Sequence, residues 1–320
     1  MTLSVNQWLG KLLLHDRRAV ARLISWVEDN QEQSEIMRTV RAQSGQSLVI
    51  GITGPPGVGK SSLVEALTRV YRQSEERVGI VAVDPSSPYS GGAILGDRIR
   101  MQAHGTDRDV FIRSMGTRGH LGGVARSTAD VLRIMEAGGY PRLLLETVGV
   151  GQSEIEIMRL ADTVVVVLNP GTGDGIQAIK AGIMEVADIF VVNKADMPGA
   201  ERMKNDIEMM LDMNGQGGRA WRPPVILTSV LENKGLHELI DEIARQQAFL
   251  SESGTLIIRR QEQLQREVWQ HLEDRLKEAF DSLWPALPTE WLTEGHQDPY
   301  QLADKVWQKM SGHKREGGNT

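Results

Sequence analysis

LVIGITGPPGVGKSSLVEALTRVY, residues 48–71, decides the fold. It opens with an apolar, β-branched run and closes with a helical pattern, SSLVEALTRVY. Between them Gly54-Pro55-Pro56-Gly57-Val58-Gly59-Lys60-Ser61 matches G-x-x-x-x-G-K-[ST]. Each part has a physical job. Glycines let the backbone turn its N–H groups inward around phosphate oxygens, and the following helix offers its positive end, beginning with Ser61 and Ser62. Lys60 has the reach for the β- and γ-phosphates, and the Ser61 hydroxyl can ligate magnesium. From ordinary residue frequencies, roughly one unrelated chain of this size in a hundred carries the pattern by chance. The strand–loop–helix setting lowers that figure further.

Six more apolar runs follow at intervals: VGIVAV, DVFIRS, RLLLET, TVVVVLN, IFVVNK and PVILTS. Runs of this kind separated by helical stretches indicate a parallel sheet covered on both faces. The expected class is therefore α/β, a doubly wound, mostly parallel P-loop NTPase sheet with helical extensions at both ends. Residues 1–44 form the N-terminal extension. There Asp16 can cap a helix carrying Val20, Leu23, Ile24 and Val27 on one face. Residues 45–250 form the nucleotide domain. Residues 251–320 form a helical arm in which Leu264, Val268, Leu272, Leu276 and Phe280 step by four, with Pro285 and Pro288 ending the long helix. A shorter amphipathic piece with Trp291 and Trp307 comes next, and the tail SGHKREGGNT reads as disordered. Pro85 to Asp97, rich in Pro, Ser and Gly, reads as a loop. Met209, Met210 and Met213, at helical spacing, read as core.

Three further stretches carry chemistry. In LLLETVGVGQSE, Glu146 stands at the end of the strand expected beside the phosphate loop, with Gly149 three residues on. An acid there can hold a magnesium-bound water or orient the attacking one. Val150, after the glycine, cannot position water, which implies slow turnover unassisted. Asn193-Lys194-Ala195-Asp196 ends another strand, where the Asp196 carboxylate can accept from guanine N1–H and N2–H₂. A site built on such bonds discriminates by roughly 10⁴ against a base that lacks them. Thr228-Ser229-Val230 is placed to complete that pocket. Asp84 and Asp97 fall where they can reach magnesium or its waters, and the loop from Asn169 to Lys180 offers an acid, an amide and a base.

The formal net charge of −6 argues against nucleic acid as the main ligand. The absence of cysteine excludes disulfides and thiolate metal sites. The seven histidines show no ligand spacing. No apolar run approaches the roughly 20 residues needed to cross a bilayer, and the N-terminus does not read as a signal peptide. A cytosolic protein without membrane partners is expected.

Taken in order, GPPGVGKSS, VAVDPSSP, ETVGVGQSE, GDGIQAIKAG and NKAD resemble the MeaB/ArgK family of P-loop GTPases, chaperones of the cobalamin-dependent methylmalonyl-CoA mutase. The resemblance covers essentially the whole chain. It implies GTP and GDP as substrate and product, with Mg²⁺ held through Ser61, Asp84, Asp97 and Glu146. It implies base recognition by Asn193, Lys194 and Asp196 with Ser229 and Val230, and a third switch loop bearing Asp174, Gln177 and Lys180 that communicates with the mutase. Glu146, Asp97 and Lys180 are the catalytic candidates. It also implies a homodimer formed through the C-terminal arm. The alternatives are a metal-delivery GTPase, for which clustered His or Cys ligands are missing, and an ATP-dependent kinase linked to amino-acid transport, against which NKAD argues.

Overall fold

The computed structural model describes residues 3–29, 31–43, 45–84, 106–116, 121–147, 155, 156, 158–171, 184–214, 220–288, 291 and 298–312. The chain divides into two compact units, Met1–Gln261 and Glu262–Thr320. The first is built on a sheet of seven strands among the described residues: β1 (Leu48–Thr53), β2 (Val78–Asp84), β3 (Val110–Gly116), β4 (Arg142–Thr147), β5 (Thr163–Leu168), β6 (Ile189–Val192) and β7 (Val225–Leu227). Their order is β3-β2-β4-β1-β5-β6-β7 and every pairing is parallel. Each apolar run of the sequence is thus one strand, because a parallel sheet buries both faces and leaves no polar side to alternate with.

The two faces hold separate cores. Ile50, Ile52, Ile80, Leu144, Val165 and Val191 pack against α4 (Lys60–Gln73) and α7 (Leu236–Glu252). Val81, Leu143, Leu145, Val166 and Phe190 face the other way, toward α5 (Leu121–Ala137) and α6 (Ala200–Asn214). The N-terminal helices α1 (Val5–Leu13), α2 (Arg17–Glu28) and α3 (Gln33–Arg41) extend this second core, burying Leu12, Leu23, Ile24 and Ile36 completely. Asp16 caps α2, accepting from the backbone N–H groups of Arg18 and Ala19. Fully burying a side chain such as Leu23 contributes about 1.5–3 kcal/mol.

Met209 and Met213 depart from expectation. On α6 the buried face is Ile207 and Leu211, so the positions two residues away turn outward, and Met213 is 74% exposed. Methionines at helical spacing mark a stripe, and here the stripe that reaches the core is the neighbouring one; Met210 packs partly against it.

The lower end of the sheet, where the strands begin, carries a polar clamp. Asp162 and Asp188 precede β5 and β6 and are 3% and 6% exposed. Asp162 accepts from the Val49 N–H at 3.0 Å and from Arg260; Asp188 accepts from the Val164 N–H at 2.8 Å and from both terminal nitrogens of Arg259, at 2.8 and 2.9 Å. Both arginines lie on the first turns of α8 (Thr255–Leu283). Arg260 also donates to the carbonyls of Gly45 and Ser47, and the N–H groups of Gly45, Gln46 and Ser47 all converge on Glu136 Oε1, at 2.6–2.7 Å. The chain is therefore fixed on both sides just before it enters β1.

In the second unit, α8 continues through Leu283, a 3₁₀ turn follows at Trp284–Ala286, and α9 spans Pro299–Gly312. Lys305 and Lys309 stack on the Trp291 ring. Leu264, Val268, Leu272, Leu276 and Phe280 are all exposed. Among the described residues no helix is long and apolar enough to cross a membrane. The Pro85–Asp97 loop and the tail from residue 313 lie outside the described residues.

Arg259→Ala removes two of the charge-assisted bonds to a buried carboxylate. It should lower unfolding free energy by about 3 kcal/mol, the cost of stranding one partner of a buried pair. Urea unfolding followed by circular dichroism measures this. A change below about 0.5 kcal/mol, ordinary for a surface substitution, would mean that the clamp holds nothing.

Candidate functional site

At the upper end of the sheet, β1 turns into α4 through the phosphate-loop sequence. Gly54 has φ +150°, and a Cβ there would lie 2.0 Å from the Val167 carbonyl oxygen, so only glycine fits against β5. Gly59 has φ +96°, and its Cβ would lie 2.5 Å from Asn193 Nδ2. No side chain caps the start of α4 and its first turn carries no acid. Its backbone N–H groups are therefore directed at whatever anion approaches, in the field of the helix dipole. Lys60 is buried, its ammonium donating to the carbonyls of Gly54 at 2.7 Å and Pro55 at 2.9 Å. The cation is thereby held within the loop that anchors it.

Glu146 is the penultimate residue of β4, the strand directly beside β1, with Ile52 as its register partner. Its carboxylate is buried, and Oε1 accepts from Ser61 Oγ at 2.6 Å. Two hard oxygens, one from the first turn of α4 and one from β4, thus meet at one point. Magnesium prefers such oxygens together with waters and substrate phosphates, so this donor pair fits it. Asp84 ends β2 one strand further out, where Ala82 is the partner of Glu146. Asp97, Gly149, Asp174, Gln177 and Lys180 lie outside the described residues.

The base-reading stretch follows β6. Asn193 is buried; its Nδ2 donates to the Val58 carbonyl at 2.9 Å and its Oδ1 accepts from Thr228 Oγ1 at 3.1 Å. Lys194, at φ +56°, donates to the Gly57 carbonyl at 2.8 Å. Asp196 lies at the surface, its Oδ1 accepting from Ser229 Oγ at 2.6 Å, while Val230 packs on the α4 side of the sheet. The 195 N–H donates to the Thr228 carbonyl at 2.9 Å, so the loops after β6 and β7 run side by side. The structure brings together Gly54 to Ser61, Glu146, Asn193, Lys194, Asp196 and Ser229 around one crevice; exposed Ser62 follows on α4. Thr228, the first residue of the stretch read as completing the pocket, joins them through its hydroxyl bond to Asn193.

Comparison with known proteins gives a consistent result. The profile of the family described as methylmalonyl-CoA mutase-associated GTPase MeaB matches residues 20–283. A Pyrococcus horikoshii protein carrying a GTPase name is 43% identical over 319 residues, 96% of this chain and 99% of that protein. GTPase ArgK of Escherichia coli is 35% identical over 268 residues, 81% of each. The mouse methylmalonic aciduria type A homolog, a mitochondrial protein, is 38% identical over 234 residues, 72% of this chain and 56% of that protein. Among solved structures, one described as a LAO/AO transport system kinase superposes with a TM-score of 0.72 at 25% identity, covering 97% of this chain and 100% of its own.

Asp196→Asn tests the base pocket. An amide in place of the carboxylate loses one of the two acceptors that guanine needs, so GTP affinity should fall by roughly 100-fold. Affinity for xanthosine triphosphate should rise, because the amide can donate to the 2-oxo group. Titration with fluorescent analogues of both nucleotides checks this; unchanged GTP affinity would remove Asp196 from base recognition.

Proposed function

The chain belongs to the MeaB family of GTPases, and from that premise we propose that it is a nucleotide-gated chaperone of a cobalamin-dependent methylmalonyl-CoA mutase, hydrolysing GTP slowly by itself and faster when the mutase is bound. GTP hydrolysis is the activity of the family. The observation that carries the reading is the Asn193 side chain, which ties the phosphate loop to the base loop and so favours a guanine nucleotide spanning both. Support for the partner comes from the description of the matching family and from the mouse relative named for methylmalonic aciduria.

In this reading Lys60 and the first N–H groups of α4 bind the β- and γ-phosphates, and Asp196, held by Ser229, accepts from guanine. Adenine offers Asp196 no matching pair of donors, which favours GTP over the ATP that a transport-system kinase would use. Ser61 and Glu146 would hold Mg²⁺, with Asp84 and Asp97 near its waters; when bound, the ion would neutralise charge developing between the β- and γ-phosphates. Glu146 holds the Ser61 hydroxyl in place and is the acid nearest the phosphates on the strand beside the loop. Because Val150 cannot orient the attacking water, the remaining group is assigned to the loop of Asp174, Gln177 and Lys180, ordered by the partner. A cation brought to the transferring phosphoryl group is worth roughly 10³ to 10⁵ in rate.

The exposed stripe from Leu264 to Phe280 supports a homodimer through the arm. Apolar side chains recurring every fourth residue along one helix suit a second helix of the same kind.

Two measurements follow. Single-turnover GTP hydrolysis with and without the mutase should show strong stimulation for the wild-type chain. For Lys180→Ala, basal turnover should be preserved and most of the stimulation lost. A wild-type chain indifferent to the mutase sinks the chaperone reading, and full stimulation of the variant moves the catalyst elsewhere. Separately, a chain ending at Gln261 keeps Arg259 and Arg260 in their clamp and should be a monomer that still binds GDP by light scattering and titration. A chain ending at Gly254 loses both arginines and should be less stable.

A further inference from the structure

The stripe on α8 has a constant step. Leu264, Val268, Leu272, Leu276 and Phe280 stand four residues apart, and all are 38–50% exposed. A coiled-coil seam alternates steps of three and four, which keeps it on one side of the helix. A constant step of four moves about 40° further round the helix each time, so the row slants across it. Such a row is a ridge, and ridges of this kind pack into the grooves of a second helix that crosses at about 50°.

The matching groove lies beside the ridge. The neighbouring row runs through Gln265, Trp269 and Glu273, and the Trp269 indole N–H donates to Glu273, which holds the ring along that row. Among the described residues, Gln265, Arg266, Val268, Trp269 and Leu272 line a concavity of about 490 Å³ there. One helix thus carries both a ridge and a groove for one, the condition for an isologous contact in which the same patch serves both partners. The ridge together with Trp269 exposes on the order of 500 Å² per copy, so two copies crossing there bury on the order of 1,000 Å², where specific interfaces begin.

We infer that α8 binds α8 of a second copy of this chain, antiparallel, with the crossing centred on Leu272. Position 272 is the midpoint of the ridge, so reversing the helix about it brings Val268 to Leu276 of the other copy and Leu276 to Val268. The direction follows from charge. Beyond the midpoint, Glu273, Asp274, Glu278 and Asp281 stand against Arg275 and Lys277, a net −2. Before it, Glu262 is matched by Arg266 at 3.1 Å, and Glu267 is buried. A parallel pair would lay one acidic half on the other. The antiparallel pair lays it on the half without the excess and sets opposite ends of the two helix dipoles side by side. The inference rests on the reading of the arm as a dimer contact, and adds its direction and its centre.

The chain has no cysteine, so a single introduced one is its only thiol. With helix axes about 8–10 Å apart at a crossing, Cα atoms facing each other at its centre come within disulfide reach. Mild oxidation of full-length Leu272→Cys should therefore give a covalent dimer on non-reducing gels. Val268→Cys and Leu276→Cys, each alone, should stay single chains when treated with a short bis-maleimide; co-expressed, the two should cross-link to each other. All three positions are exposed, and GDP binding by each variant checks that it is folded. Cross-linking of either single variant to itself, or none in the co-expressed pair, overturns the antiparallel direction. A dimer by light scattering that Leu272→Cys does not lock overturns the centre. Each of these outcomes removes this inference and leaves the dimer reading standing. A wild-type chain that light scattering shows as a monomer, as it would be if another part of the same chain covered the ridge, overturns both.

Discussion

The site depends on one buried amide. Asn193 donates to the phosphate loop at Val58, accepts from Thr228 on the loop after β7, and through its own backbone N–H bonds the Leu168 carbonyl at the top of β5. Three loops from separate crossovers are thereby held as one surface. Gly59 must be glycine because the amide occupies the space a Cβ would need. A nucleotide whose phosphates settle on α4 therefore meets a base loop already placed, and little ordering remains to oppose binding. Lys194 reinforces the same union with its bond to the Gly57 carbonyl.

The seven strands were legible because each contains a run of apolar residues and is bounded by Gly, Pro or charged residues, even where, as at Arg113 and Ser114 of β3, polar residues interrupt it. The phosphate loop, Glu146 and the Asn193–Asp196 stretch were legible because their chemistry is local in sequence. What escaped was every feature made by distant pairs. Arg259 meets Asp188 across 71 residues, and Arg260 meets Asp162 across 98. In the sequence these are charges on amphipathic segments, indistinguishable from solvated ones. Thr147 Oγ1 donates to Thr53 Oγ1 across 94 residues, though both apolar runs end in threonine, a hint that periodicity alone does not weigh. Met209 and Met213 were misplaced because helical spacing fixes that a stripe exists, whereas the sheet decides which stripe is buried.

The two ends of the sheet do different work. Upper ends of the strands carry groups with chemistry: a buried ammonium, a carboxylate holding a hydroxyl, and a carboxylate at the surface. Lower ends carry the Asp–Arg clamp and the Glu136 nest, where every charge is matched by several hydrogen bonds and the chain is simply held. The segregation is what a parallel sheet imposes. All strands point one way, so loops able to differ in length and composition gather at one end, and the first turns of α8 take their anchorage at the other.

Amide hydrogen exchange in the presence of GDP and of ADP, each with magnesium, tests the joined crevice most directly. GDP should slow exchange at residues 54–62, 193–197 and 229–231 together, while ADP should slow the first segment at most. Equal protection of all three segments by ADP, or protection by GDP confined to the phosphate loop, would contradict a guanine site held together by Asn193.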